Sequence, residues 1–223
     1  VGVNGVGKSS LIKAIIGEVE LDNGIIAKKK DLKIGYLPQE SVFEDDSTIL
    51  EAFLKLLKVD EFVAKSMLSK FNLNDYTKKV KFLSGGEKKR LSLSVALCEQ
   101  VDLLILDEPT AGLDPQGAQE MMHLFQRMNR EFNKSVFIVS HDMEHVLKYC
   151  DDVLVMKDGS VYKFCSVKDF FSDITILNEL KINPPAVIAM REALNQRGFS
   201  ISKDITDMND LAKAIAKEVK SHG

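Results

Sequence analysis

Tryptophan is absent from the 223 residues, and cysteine occurs only three times, at Cys98, Cys150 and Cys165. None of the three forms a CxxC pair, which excludes a disulfide framework and a cysteine zinc site and suits a reducing cytoplasm. Long apolar runs are missing as well. No stretch approaches the roughly 20 residues that cross a bilayer, so no transmembrane segment is expected. Neither sign of charge dominates, with 30 basic against 33 acidic residues and a net charge of -3, so the chain lacks a broad positive field for nucleic acid. No charged leader or apolar signal region precedes the first motif. What remains is an ordinary globular composition, 45% hydrophobic and 28% charged, with enough length for one large domain or one domain and a small appendage.

Apolar residues Leu11, Ile12, Ile15 and Ile16 recur at helical spacing after Lys8, with Gly17 placed to cap that helix. A strand is expected over 32–37. A helix is expected to start at Asp46, Ser47 or Thr48 and to run to about Phe71, with Leu50, Phe53, Leu54, Leu57 and Phe62 on its apolar face. The runs 101–106 and 136–139 read as buried parallel strands, separated by a helix over 115–132. Residues 152–164 read as a hairpin turning at Asp158-Gly159. Beyond about 171 the character changes: Asn183-Pro184-Pro185 breaks the chain, and amphipathic helices are expected over 186–197 and 207–219.

Gly2-Val3-Asn4-Gly5-Val6-Gly7-Lys8-Ser9 matches the phosphate-loop pattern GxxxxGK[ST] at every fixed position, and a helix follows it. Backbone amides of Asn4 to Gly7, with Ser9 and Ser10 at the helix N-terminus, form an anion cradle; Lys8 reaches the β- and γ-phosphates, and the Ser9 hydroxyl can ligate Mg²⁺. Such a loop needs a strand leading into it, so residue 1 reads as a cut inside a domain. Asp107 and Glu108 end the apolar run 101–106, at the edge where a parallel sheet presents its ligands. Asp107 suits Mg²⁺, and Glu108 suits the polarisation of an attacking water. Ser84-Gly85-Gly86 reads as a helix N-cap with exposed amides, a second anion site. Lys28-Lys29-Lys30 and Lys88-Lys89-Arg90 read as solvated faces. His123 and His145 have no companion at metal-ligand spacing.

Leu83-Ser84-Gly85-Gly86-Glu87 is the string by which the sequence resembles the ATP-binding-cassette (ABC) ATPases. The resemblance implies an α/β P-loop NTPase fold of ABC type, with a mainly parallel core sheet, a helical subdomain over about 41–100 and a small C-terminal helical extension. The corresponding boundaries are a nucleotide-binding domain at 1–171 and the extension at 172–223. It implies that Gln39 contacts Mg²⁺ and the attacking water, and that His141 contacts the γ-phosphate. It further implies that Asp114 belongs to the D-loop, and that Ser84, Gly85 and Gly86 act on ATP held by a second cassette subunit in a head-to-tail dimer. ATP and Mg²⁺ are the implied substrate and cofactor. The aromatic residue that stacks on adenine in this family falls upstream of residue 1.

Two branches of the family are resembled. Residues 34–40, 47–51 and 83–93 look like the soluble ABC-F translation factors, which bind ribosomes. Residues 107–117 depart from that pattern, with Ala111-Gly112-Leu113-Asp114 where an Asn-His-Leu-Asp string is typical. From His141 through Leu177-Asn178-Glu179-Leu180, Pro184-Pro185 and Leu194-Asn195-Gln196-Arg197-Gly198-Phe199, the chain looks like the ATPase subunits of energy-coupling factor importers of vitamins or metal ions. That tail is the more specific signal. It implies a peripheral protein on the inner face of the cell membrane, partnered by a transmembrane coupling protein and a substrate-binding membrane protein, with no nucleic acid. The alternatives are a ribosome-associated ABC-F factor and an engineered hybrid of two cassettes.

Overall fold

The structure, a computed structural model, describes residues 1–2, 7–39, 43–98 and 101–221, with the side chains of 220 and 221 left aside. The chain packs as two compact units: Ser9–Val139, and Val1–Lys8 together with Ser140–Gly223. Packing therefore groups the residues along a different line from the boundary expected at 171.

In the first unit, the expected helix after the phosphate loop is α1 (Lys8–Ile16). Gly17 ends it at φ +90°, where Gly17 N donates to Lys13 O at 3.0 Å and Glu18 N to the same oxygen at 2.8 Å. This is the left-handed cap that a side chain would strain. Strands β1 (Ile34–Leu37), β2 (Leu103–Asp107) and β3 (Ser135–Val139) form a parallel sheet in the order β1-β2-β3. The register pairs Leu37 with Leu106 and Asp107 with Val139, so the C-terminal ends of all three strands reach one edge. Alternation along β2 fixes what covers it. Leu103 and Ile105 pack with Ile12, Ile15 and Ile16 of α1, while Leu104 lies toward the C-terminal end of α4 (Gly85–Ala96).

The helical segment departs from expectation. Two helices stand where a single one was read: α2 (Ile49–Leu56) and α3 (Glu61–Lys70). Thr48 starts α2 through a reciprocal box: its hydroxyl accepts from Glu51 N at 3.2 Å and its own N donates to Glu51 Oε2 at 2.8 Å. Leu57 then turns extended and Asp60 takes the N-cap position of α3. The break rotates Phe62 off the apolar face, leaving it 83% exposed. A short 3-10 turn (Val80–Phe82) leads into α4, and α5 (Pro115–Arg130) connects β2 to β3 with Pro115 in its first turn.

In the second unit, α6 (Met143–Tyr149) precedes the antiparallel pair β4 (Asp152–Lys157) and β5 (Ser160–Ser166). Both turn residues of that hairpin carry positive φ, 49° at Asp158 and 75° at Gly159, as a tight two-residue turn requires. Val1 lies alongside β4: its amino group donates to Leu154 O at 2.6 Å, and Met156 N donates to Val1 O at 2.9 Å. Helices α7 (Val167–Ser172), α8 (Ile174–Glu179), α9 (Ala186–Gln196) and α10 (Met208–Ser221) follow. Phe170, Phe171, Leu177 and Ile188 are fully buried among them. Arg191 is fully buried too. Its guanidinium donates to the carbonyls of Phe171, Lys203 and Ile205 and to Glu192 Oε1, clasping α9 to the segments before and after it.

Candidate functional site

Of the phosphate-loop residues, Val3, Asn4, Gly5 and Val6 lie outside the described residues. Gly7 directly precedes α1, and Lys8 opens it, with Nζ donating to Gly2 O at 2.7 Å. Ser9 and Ser10 are exposed in the first turn of α1, where a helix leaves amides without intrahelical acceptors. A cation, two hydroxyls and a helix N-terminus thus occur together at the start of α1, a combination suited to phosphate.

Asp107 closes β2 and is buried, 8% exposed. Glu108 follows at φ +45°. A non-glycine residue in this region costs of order 1–3 kcal/mol and persists only where its surroundings enforce it. Here the enforcement is visible. Glu108 N continues the sheet ladder by donating to Val139 O at 3.0 Å, while Glu108 O accepts from Ala111 N at 3.1 Å. The main chain is pinned on both sides. Tyr36, on β1, has its phenol pKa raised by burial first, and then by the negative charges of Asp107 and Glu18.

Gln39 lies two residues beyond β1 and is exposed. Its carbonyl accepts a hydrogen bond from Lys89 Nζ on α4. Lys89 is only 8% exposed, which corrects its reading as part of a solvated charge run: the fold folds this one cation inward against the Gln39 segment.

Ser84 is the N-cap of α4 and makes the reciprocal box with Glu87: the serine hydroxyl accepts from Glu87 N at 3.2 Å, and Ser84 N donates to Glu87 Oε2 at 2.8 Å. Glu87 also pairs with Lys78 at 2.7 Å. Burial pushes the Glu87 carboxyl upward, but the hydrogen bonds from Lys78 and Ser84 outweigh it, and the pKa falls below the ordinary 4.5. A Cβ at Gly86 would meet nothing within 4 Å, whereas one at Gly85 would lie 3.4 Å from Gly112 O. The Ser84–Gly86 segment and the 111–114 turn are therefore neighbours. Asp114 takes the N-cap position of α5 without a side-chain cap bond. Its Oδ1 would lie 2.8 Å from a Cβ at Gly117.

His141 belongs to the other unit and is exposed. It sits between Ser140, whose hydroxyl accepts from Asp142 N at 3.0 Å, and Asp142, which caps α6 by accepting from His145 N at 3.1 Å. The unit Ser9–Val139 brings Gln39, Asp107 and Glu108 to one sheet edge and sets Ser84 to Gly86 beside the turn before Asp114. Lys8 is held by the Gly2 carbonyl within its own unit. Ser9, Gln39 and Asp107 offer hydroxyl, carboxamide and carboxylate oxygens, a hard donor set that fits Mg²⁺. Among the described residues no cluster of three or more His, Cys, Asp or Glu side chains forms a metal site.

Sequence reasoning missed Lys89, Tyr36 and Gly35. For Gly35 there was a signal: a glycine inside a strand pattern marks a close backbone approach. A Cβ there would lie 2.9 Å from Ala96 O.

A family model described as ABC transporter matches residues 1–111. The energy-coupling factor transporter ATP-binding protein EcfA2 of Spiroplasma kunkelii is 35% identical, over 100% of this chain and 83% of its own length. The protein of the same name from Mesoplasma florum is 31% identical, over 99% of this chain and 78% of its own. Among solved structures, a chain described as an inward-facing metal-chelate-type ABC transporter superposes with a TM-score of 0.73 at 23% identity, covering 82% of this chain and 76% of that one. A dimeric ATP-binding cassette in a post-hydrolysis state, bound to ADP and Pi, superposes with a TM-score of 0.61 at 24% identity, covering 74% and 83%. Both structural likenesses carry the fold: an α/β cassette around a parallel sheet.

Proposed function

We propose, for a chain that belongs to the ATP-binding-cassette ATPases and to their energy-coupling factor branch, that it is the subunit whose ATP hydrolysis powers an importer of a vitamin or a metal ion. The observation that carries this reading is the match to energy-coupling factor proteins over the whole chain, front half and tail together. Because the match runs through both halves, the energy-coupling factor reading is preferred to a ribosome-binding factor or a hybrid of two cassettes.

In this reading Lys8, the α1 amides, Ser9 and Ser10 bind the phosphates of ATP, with Asn4 to Gly7 completing the cradle. Lys8, whose ammonium donates to the Gly2 carbonyl, turns to phosphate oxygen when ATP binds. Ser9, Asp107 and Gln39 are the oxygen ligands for Mg²⁺, which when bound neutralises charge developing on the phosphates. Glu108, its main chain locked by the β3 ladder and by Ala111, holds its carboxylate for the proton of the attacking water, and His141 and Gln39 orient the γ-phosphate and that water. Ser84, Gly85, Gly86 and Asp114 face the nucleotide of a second ABC subunit. A cassette at 1–171 with a helical tail at 172–223 divides the labour between hydrolysis and assembly. No helix among the described residues is long and apolar enough to cross a membrane. Placement on the inner membrane face thus falls to a transmembrane coupling protein, with a separate membrane protein to bind the substrate.

Two variants test the assignment. Lys8→Ala should abolish tight ATP binding, and unchanged nucleotide affinity would refute the phosphate-loop assignment. Glu108→Gln should retain ATP while slowing hydrolysis by about 10² or more, as loss of a general base does. Turnover at the unmodified rate would remove Glu108 from the chemistry.

A further inference from the structure

Lys89 is the fifth residue of α4, the helix that Ser84 caps. A lysine in such surroundings loses hydration and is retained only where its ammonium finds partners. One of those partners is the main-chain carbonyl of Gln39, fifty positions away in sequence. The same two segments meet again at the other end of the helix. Gly35 of β1 lets the Ala96 carbonyl of α4 come so close that a Cβ there would sit 2.9 Å from that oxygen, 3.1 Å from Val101 and 3.3 Å from Leu104. Residues 35–39 are thus tied to α4 twice, once by a close backbone approach and once by a buried cation.

We propose that Lys89 is a positioning residue for ATP hydrolysis: its hydrogen bond to the Gln39 carbonyl holds the Gln39 segment and the Ser84 end of α4 as one piece. The proposal rests on the reading that Gln39 serves the hydrolytic step. Lys89 touches neither nucleotide nor water in this scheme. It sets where Gln39 stands when the second subunit's ATP is engaged at Ser84, a coupling carried by a contiguous chain of packed and hydrogen-bonded groups. Losing such an anchor affects the chemical step more than the binding of ATP to the phosphate loop.

The test is steady-state ATP hydrolysis by the full chain, assembled with its partner subunits, for Lys89→Met, Lys89→Arg, Gln39→Ala and the double variant Gln39→Ala/Lys89→Met. Lys89→Met keeps the apolar stem and loses the donor. It should lower kcat by about tenfold to a hundredfold, the scale of a misplacement near 1 Å, with KM for ATP changed by less than about twofold. Lys89→Arg should recover most of the loss. The double variant should be no slower than Gln39→Ala alone, because two residues acting through one route are non-additive. Unmodified kcat in Lys89→Met overturns the proposal, as do multiplicative losses in the double variant or a parallel change in kcat, KM and melting temperature that arginine does not rescue. Unmodified turnover in Gln39→Ala refutes the role of Gln39 itself, and the Lys89 proposal with it. Should Lys89→Met fail to fold, Lys89→Leu, which likewise keeps an apolar stem and removes the donor, carries the same comparison.

Discussion

Gly86 sits in the first turn of α4 with open space where a side chain would stand. Among the described residues nothing stands within 4 Å of where its Cβ would be, and glycine in a helix costs up to about 1 kcal/mol relative to alanine. The proposed approach of a second subunit's nucleotide to the Ser84 end of α4 gives the open position a use. Gly86→Ala should raise the stability of the isolated chain by roughly 0.5–1 kcal/mol, read as a higher melting temperature, while lowering ATP hydrolysis by the assembled dimer. A destabilised variant would mean that the glycine answers an internal need, and unmodified turnover would deny it a role in hydrolysis. Glu108 illustrates the complementary case. Its left-handed backbone is imposed from within, by the ladder to Val139 and the turn to Ala111.

At the scale of elements, the box that starts α4 has a titration consequence. Glu87 is held below its ordinary pKa of 4.5 by Lys78 and Ser84, so its carboxylate binds protons more weakly folded than unfolded. The stabilisation is then fully present above about pH 4.5 and is lost as pH falls through the lowered folded value. Urea denaturation of the unmodified chain against Glu87→Gln should show a stability gap at pH 6 that closes toward pH 3; a gap independent of pH would deny the carboxylate this role. The Ser84 N-cap was legible in the sequence because it is local to the helix start, whereas the Lys78 partner of Glu87, nine residues upstream, was not. The same locality made α1, the Asp158-Gly159 turn and both tail helices readable. The interruption between α2 and α3 was not, because 46–71 contains neither glycine nor proline and its apolar residues keep recurring across Leu57 to Asp60. Lys89 was hidden for the opposite reason. It stands in a run of three cations, and only the return of the chain at Gln39 distinguishes the buried member from its neighbours. Asp107 and Glu108 were readable as a strand end, but the backbone twist at Glu108 depends on β3, some thirty residues downstream.

The molecule as a whole is divided in an unequal way. One unit is a continuous stretch, Ser9–Val139, while the other is assembled from Val1–Lys8 and Ser140–Gly223. The backbone partners of Val1 are Leu154 and Met156, with a sequence separation of 153 in the first of these bonds. During synthesis at about 5–20 residues per second, the segment carrying Gly7 and Lys8 waits several seconds for its partners to leave the ribosome. The continuous unit meets no such delay. Nascent chains halted just after residue 139 has emerged should already protect β1 to β3 from protease yet remain cleavable at 1–8, and protection there should begin only once β4 is out. Equal protection of both regions at the earlier halt would contradict this order. The segment carrying Gly7 and Lys8, made ahead of the continuous unit, is in this order fixed in place only after it.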